Sequence, residues 1–245
     1  MNSPDIEISF CTTCSGRAYQ LKKTLAVNAP IIAADPELEW VIVNFNSKDD
    51  LHDYMMAQLP SLSRRVVYVR ESTAQSWHAS IAKNLAHRQA SGRILMNLDG
   101  DNFIGDAVDT IRTYFGNGCR IVQMWSDMGQ DGTGGRIAIA RELFYELGGY
   151  DETFYPMGYQ DIDLLLRASA FGVPALKAPC PTGLALPNDK RDSIVNCKKD
   201  GMVWEDYNRL NREQSLRNIR ASKLKANGGN AWAETRIEIW KGALD

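Results

Sequence analysis

Apolar and polar residues recur along the chain in two rhythms. Ile6, Ile8 and Phe10 alternate with polar neighbours, the period of a strand with one buried face. The Thr-, Ser- and Gly-rich stretch 11–17 then reads as a loop. Leu21 and Leu25, four apart, place a helix over 17–27. Trp40 to Phe45 is a nearly continuous apolar run, the pattern of a strand covered on both faces. Ser47 stands where it can cap a helix that carries Leu51, Met55 and Leu59 on one side and ends before Pro60. Residues 65–69 read as the next strand. Ile81 and Leu85, with Ala82 and Ala86, give the clearest helix, 76–90, ended by Gly92. Residues 93–98 form a strand again.

The later chain predicts a helix over 107–115, a strand over 120–125 and a glycine-rich loop over 129–135. A short strand over 136–140 follows, then a helix over 141–147 that stops at Gly148-Gly149. A further helix falls at 161–170 and a late strand at 174–178. From Ser193 onward the chain is polar and largely helical in propensity, interrupted at Gly228-Gly229. Leu210, Leu216 and Ile219 offer a packing side there, and Ile237 with Trp240 a further apolar patch.

Strand and helix alternate through the first hundred residues. Buried strands joined by helices predict an α/β fold, Rossmann-like, with a mostly parallel central sheet flanked by helices. Such sheets bind ligands beyond the C-terminal ends of their strands. Three polar loops fall at those ends: 11–17, 44–47 and 99–102.

A length of 245 residues suits one large α/β domain with an appendage, divided here as 1–195 and a C-terminal helical extension, 196–245, packed on it. The net charge of -2 argues against a nucleic-acid partner. No apolar run approaches the length that spans a bilayer, and the polar, acidic start has no signal-peptide pattern. Five cysteines is an odd number, which speaks against a full disulfide framework. These features predict reduced thiols and a cytoplasmic protein, with a membrane-surface position left open.

Asp99-Gly100-Asp101 follows the apolar strand Ile94–Leu98 directly. Two carboxylates two residues apart can reach one hard cation, and Mg²⁺ or Mn²⁺ prefers such oxygen ligands, with substrate phosphates completing the sphere. An ordinary surface turn is the competing reading. No Gly-x-Gly-x-x-Gly follows the first strand, and no phosphate loop ending in Gly-Lys-Ser/Thr is present. A nucleotide would therefore be held through a metal and scattered polar groups.

Three ordered segments carry a family resemblance: residues 8–17; Lys83-Asn84-Leu85-Ala86 with Asn97-Leu98-Asp99-Gly100-Asp101-Asn102; and Gly148–Glu152 with Gly158–Leu164. Together, over roughly residues 6–190, they resemble the inverting family 2 glycosyltransferases of the GT-A fold. The third segment is also similar to the C-terminal galactosyltransferase-type motif. The resemblance implies transfer of a sugar from a nucleoside-diphosphate sugar, first of all a UDP-sugar, to an acceptor hydroxyl with the help of Mn²⁺ or Mg²⁺. It implies Asp101 as the best metal ligand and Asp99 as a donor contact that also reaches the metal. Relatives often supply a downstream histidine as third ligand. This chain has only His52, His78 and His87, all upstream, and Asn188 or Asp189 falls nearest the expected place.

The resemblance further assigns donor contacts to Thr12, Thr13, Ser15 and Arg17, to Asn46 or Asp50, to Lys83 and Asn84, and to Gly100 within the acidic turn. It makes Asp161 the base that takes the acceptor proton. From the residues alone, Asp161 reads equally well as the cap of helix 161–170. The glutamate usual before that position is Gln160 here, which cannot act as a base. Gln160, Asp163 and Trp125 are the implied acceptor contacts, with loop support a second reading for Asp163. Arg136 is a candidate for phosphate or for solvent. Cys11-x-x-Cys14 has redox or zinc spacing, but without a second pair it reads as structural. The acceptor is open among a glycan, a lipid-linked sugar and a small metabolite. The C-terminal region is a candidate lid, homodimer contact or membrane-edge helix. A nucleotidyltransferase and a non-catalytic sugar-binding protein stand as alternatives.

Overall fold

The computed structural model describes residues 5–126, 132–198 and 200–244. Residues 129–131 of the expected glycine-rich loop lie outside the described residues. The first half alternates as expected: β1 (Ile8–Cys14), α1 (Ala18–Ala34), β2 (Leu38–Phe45), α2 (Leu51–Gln58), β3 (Val66–Glu71), α3 (Ala79–Gln89) and β4 (Ile94–Asn97). There follow α4 (Ala107–Gly116), β5 (Ile121–Trp125), β6 (Ile137–Ala140), α5 (Arg141–Glu146), α6 (Gln160–Ala170), β7 (Leu176–Pro179), α7 (Lys190–Ile194), α8 (Trp204–Arg220) and β8 (Ile237–Lys241).

All the strands join one sheet in the order β7-β5-β6-β4-β1-β2-β3-β8. Its centre, β4-β1-β2-β3, is parallel throughout. The chain moves outward from β1 through β2 to β3, then returns to place β4 on the other side of β1. The crevice between the ends of β1 and β4 is the switch point of the sheet, where open α/β sheets take ligands. β6 and β8 run antiparallel to β4 and β3. One face of the sheet packs on α1, α2 and α4 through Leu21, Leu25, Met55 and Ile111. The other packs on α3, α5 and α6 through Leu85, Phe144 and Leu164. β2 is buried along its whole length, as its unbroken apolar run requires. Among the described residues, no helix is long and apolar enough to cross a membrane.

Four expectations change. Residues 11–14 belong to β1 and not to a loop, because Cys11–Cys14 pairs in register with Val41–Asn44. Thr12 and Thr13 are β-branched and suit a strand, and ladder hydrogen bonds to a long buried partner carry it on through Cys14. Helix α1 runs on past Pro30 to Ala34, since Ile32 still faces the core. Ser47 does not cap α2, which starts at Leu51. Its hydroxyl instead donates to Asp49 at 2.6 Å and accepts from the Gly16 N–H at 2.6 Å. The helical reading of the tail fails at 237–241, where β8 adds to the edge of the sheet. There Trp240 lies against Tyr68 and His52, with ring centroids 5.6 and 5.4 Å away.

Candidate active site

A cavity of about 1120 Å³ opens at the C-terminal ends of β1 and β4. Thr13, Ser15, Arg17, Lys83, Asp99, Gly100, Asp101, Trp125, Gln160, Asp161 and Asn188 all contribute to its wall. The sheet therefore brings together most residues singled out in the sequence, across nearly 180 positions of chain.

The acidic turn is held from below and from the side. Beneath it, the Thr12 hydroxyl donates to the Leu98 carbonyl at 2.7 Å and accepts from the Trp40 indole at 2.8 Å. From α1, Thr24 donates to the Gly100 carbonyl at 2.8 Å, and Asn28 donates to the Asn102 carbonyl at 3.0 Å. Thr24 and Asn28 are buried and one helical turn apart. Neither was singled out in the sequence. The available signal was Gln20, Thr24 and Asn28 at a spacing of four on the buried face of an otherwise ordinary helix.

Asp101 is 5% exposed and accepts from Asn102 at 2.7 Å and from Asn188 at 2.9 Å. Burial, and then the charge of Asp99, push its pKa up to about 6. Crowded carboxylates of this kind, all hard oxygen donors, fit a divalent cation. Among the described residues, no group of three His, Cys, Asp or Glu would hold a metal alone. A cation here would rest on Asp99, Asp101, Asn188 and ligand oxygens. Asn188 presently turns its nitrogen to Asp101, so acting as a ligand requires its amide to rotate.

Lys83 links the acidic turn to Asp161. It is 6% exposed and projects from α3, with Nζ 2.7 Å from Asp161 and 3.6 Å from Asp99. Burial opposes its charge, but Asp161 and Asp99 outweigh it and leave the Lys83 pKa raised. The Asp161 pKa is also raised, by burial first; Lys83 works against this and Asp99 adds to it. Asp161 does not cap α6. Tyr159 holds the cap position at φ 69°, and Asp161 lies in the first turn with its carboxylate on Lys83. The capping reading is thereby replaced by an ion pair.

Five expected contacts lie off the cavity wall. Thr12 is buried beneath the acidic turn, as described. Asn46, at φ 45°, donates to the Ala74 carbonyl at 2.7 Å and shapes the turn after β2. Its alternative, Asp50, forms an exposed pair with Lys22 at 2.5 Å. Asn84 is buried and exchanges hydrogen bonds with the Tyr150 backbone, at 2.8 Å each way. Asp163, named as an acceptor contact, faces the core and pairs with Arg167 at 2.6 Å. Arg167 in turn donates to the Leu147 and Gly149 carbonyls, so Asp163 supports the double-glycine turn. A helix places residues two apart on different faces, so Asp161 and Asp163 cannot share one cavity. Arg136 is likewise internal, donating to the Phe103 and Ile104 carbonyls. Cys11 and Cys14 are buried, and burial drives both thiols up, Cys14 to about 12, which leaves them inert.

The C-terminal region closes the site. Arg17 donates to Ser193 at 2.9 Å, and Asn196 donates to the Ser15 carbonyl at 2.9 Å. Trp204 and Asn208 of α8 also line the cavity. Sequence patterns gave no sign of these contacts, because they form between segments nearly 180 residues apart.

No protein-family model matches the chain, and no curated protein matches it. Solved structures do. The chain has the GT-A glycosyltransferase fold. It is similar to the mannosyltransferase PcManGT from Pyrobaculum calidifontis, solved with GDP-Man and Mn²⁺, at 16% identity and a TM-score of 0.59, covering 94% of this chain and 66% of that one. It is similar to glucosyl-3-phosphoglycerate synthase from Mycobacterium tuberculosis, solved with Mn²⁺, UDP and glucosyl-3-phosphoglycerate, at 15% identity and a TM-score of 0.55, covering 98% and 89%. TarS from S. aureus aligns at 12% identity and a TM-score of 0.59, covering 92% of this chain and 41% of its own.

Proposed function

We propose that the protein is an inverting, divalent-metal-dependent glycosyltransferase that uses a nucleoside-diphosphate sugar, first of all a UDP-sugar, and an acceptor hydroxyl. The observation that carries this reading is the convergence of Asp99, Asp101 and Asp161 on one cavity at the switch point, with Lys83 bridging two of them. The solved GT-A structures with GDP-Man or UDP and a metal support the donor class.

In this reading Asp99 and Asp101, with Asn188, hold the cation. When bound, the cation neutralises the diphosphate and makes it a better leaving group. Thr13, Ser15 and Arg17 form the wall beside the acidic turn and receive the nucleotide. The Asp161 carboxylate accepts the acceptor proton while the acceptor oxygen bonds to the anomeric carbon. The bond from that carbon to the diphosphate breaks, and the diphosphate leaves with the electron pair. A raised pKa makes Asp161 a stronger base than an exposed aspartate, and the Lys83 ammonium keeps its carboxylate aimed. Gln160 and Trp125 remain as acceptor contacts.

A thermal-shift panel of UDP-, GDP- and TDP-sugars with Mn²⁺ or Mg²⁺ identifies the donor, which raises the melting temperature by mass action. With that donor, EDTA abolishes transfer. Asp161→Asn lowers transfer by about 10²–10⁴-fold while the donor still binds. Full activity in EDTA would remove the metal from the mechanism, and full transfer by Asp161→Asn would remove the base.

A further inference from the structure

The cavity is lined along one side by a wall of distinct character. On α6, Asp161, Ile162, Leu165, Leu166 and Ser169 all line the cavity, while Asp163, Leu164, Arg167 and Ala168 are buried beneath. The spacing is that of one helix face. It begins at Asp161 and runs about 12 Å at 1.5 Å per residue. Beyond Asp161 the face is apolar up to Ser169, and yet open: Ile162 is 45% exposed and Leu166 36%. From the sheet side, Leu176 at 42% and Trp125 at 36% exposure line the same cavity, together with Lys177, whose Nζ lies 4.8 Å from the Trp125 ring centroid.

The start of this wall is polar. Gln160 is 4% exposed and lines the cavity, and its amide nitrogen has no hydrogen-bond partner in the protein. A buried amide donor left without a partner is costly, and an acceptor atom of a ligand would satisfy it. A polar donor and a carboxylate at one end, with an open apolar wall leading away, describe a binding groove for an amphiphile.

Resting on the glycosyltransferase reading, we infer that the acceptor is a small amphiphile whose reacting hydroxyl group lies at Asp161 and Gln160 and whose apolar tail lies along Ile162, Leu165, Leu166, Leu176 and Trp125. A bare sugar reaches the polar end and Trp125 but leaves the α6 face of Ile162, Leu165 and Leu166 wet. A tail that covers it gains about fourfold in affinity per buried methylene.

The probe is a series of n-alkyl β-D-glucopyranosides from methyl to octyl, each kept below its micelle-forming concentration and titrated into the whole chain by calorimetry. Affinity rises about fourfold per methylene until the wall is covered. Leu166→Asp and Ile162→Asp flatten that dependence. Both positions are exposed enough to take the change without unfolding the protein, and donor affinity in both variants matches the wild type. A dissociation constant independent of chain length, including no binding of the octyl compound, overturns the inference. So does a chain-length dependence that both variants keep. Self-association lost in Leu166→Asp assigns the wall to a second copy and overturns it too. Failure of every sugar nucleotide to bind the wild type strikes the glycosyltransferase reading separately, because that measurement uses no alkyl probe.

Discussion

Single side chains in this protein divide sharply into those that meet the cavity and those that hold its frame. Asp163 and Asp161 are the clearest contrast. The Asp163–Arg167 pair is almost wholly buried, at 1% and 2% side-chain exposure. Removing one partner of such a pair leaves a buried charge uncompensated. Asp163→Ala therefore lowers the unfolding free energy by about 3–5 kcal/mol in urea titrations, while donor affinity of the folded fraction is unchanged. An acceptor contact would behave the other way, with stability intact and acceptor KM raised. His87 gives a second residue-scale prediction. It is fully buried, donates from Nδ1 to the Lys83 carbonyl at 2.7 Å and stacks on Phe144 at 4.8 Å. Burial is the main reason its pKa falls from 6.5 to about 3. Between those values the unfolded chain binds the proton and the folded chain does not, so stability is complete above pH 6.5 and declines on acidification. The loss from this group reaches about 2 kcal/mol by pH 5. His87→Phe keeps the ring stack, and its unfolding free energy falls correspondingly less between pH 7 and 5.

At the scale of elements, the last long helix sets the geometry of the one that carries Asp161. Asn211 of α8 is fully buried and donates to the carbonyls of Tyr155, Met157 and Gly158 at 3.1, 3.1 and 2.8 Å. It also accepts from the Tyr155 N–H at 2.7 Å. These bonds fix the turn that enters α6 through Gly158 at φ 88° and Tyr159 at φ 69°. Gly158 has no room for a side chain, because a Cβ there would meet the Asn208 Cα at 3.0 Å. Asn211→Ala leaves several buried backbone groups without partners. It lowers stability by about 1–3 kcal/mol and lowers kcat, while the donor dissociation constant holds. Chemical denaturation and single-substrate donor titration read these separately. The elements themselves were largely legible in sequence. β2, α3 and β4 appear from apolar runs and from Ile81 and Leu85 alone. Besides the longer α1 and the missing Ser47 cap, the failures were at β1 beyond Phe10 and at β8, which join the sheet because a partner strand is present. Thr12-Thr13 and the Ile237-Glu238-Ile239-Trp240 alternation carry strand propensity, but which strand each would pair with is a property of the fold.

For the molecule as a whole, the sheet's edge at β8 deserves a direct test. β8 covers the hydrogen-bonding edge of β3, and Trp240 seals Tyr68 and His52 from above. Deleting residues 236–245 uncovers a parallel-sheet edge with a buried apolar strand behind it, an aggregation template. The truncated chain melts at lower temperature and scatters light on heating, as calorimetry and light scattering would record.

Periodicity along the chain specifies the α/β class, the strand and helix order of the first hundred residues, and the place of Asp99-Gly100-Asp101 at the end of a buried strand. Periodicity is local and survives without the fold. The sequence also marks Asp161, but leaves it between cap and base. Only the tertiary structure joined Asp161 to Asp99 through Lys83, sent Asp163 and Arg136 into the interior, and revealed Thr24, Asn28 and Asn211 as the supports of the site. The physical reason is the same in each case. A polar side chain takes its role from what burial and neighbours leave for it, and those neighbours come from distant parts of the chain.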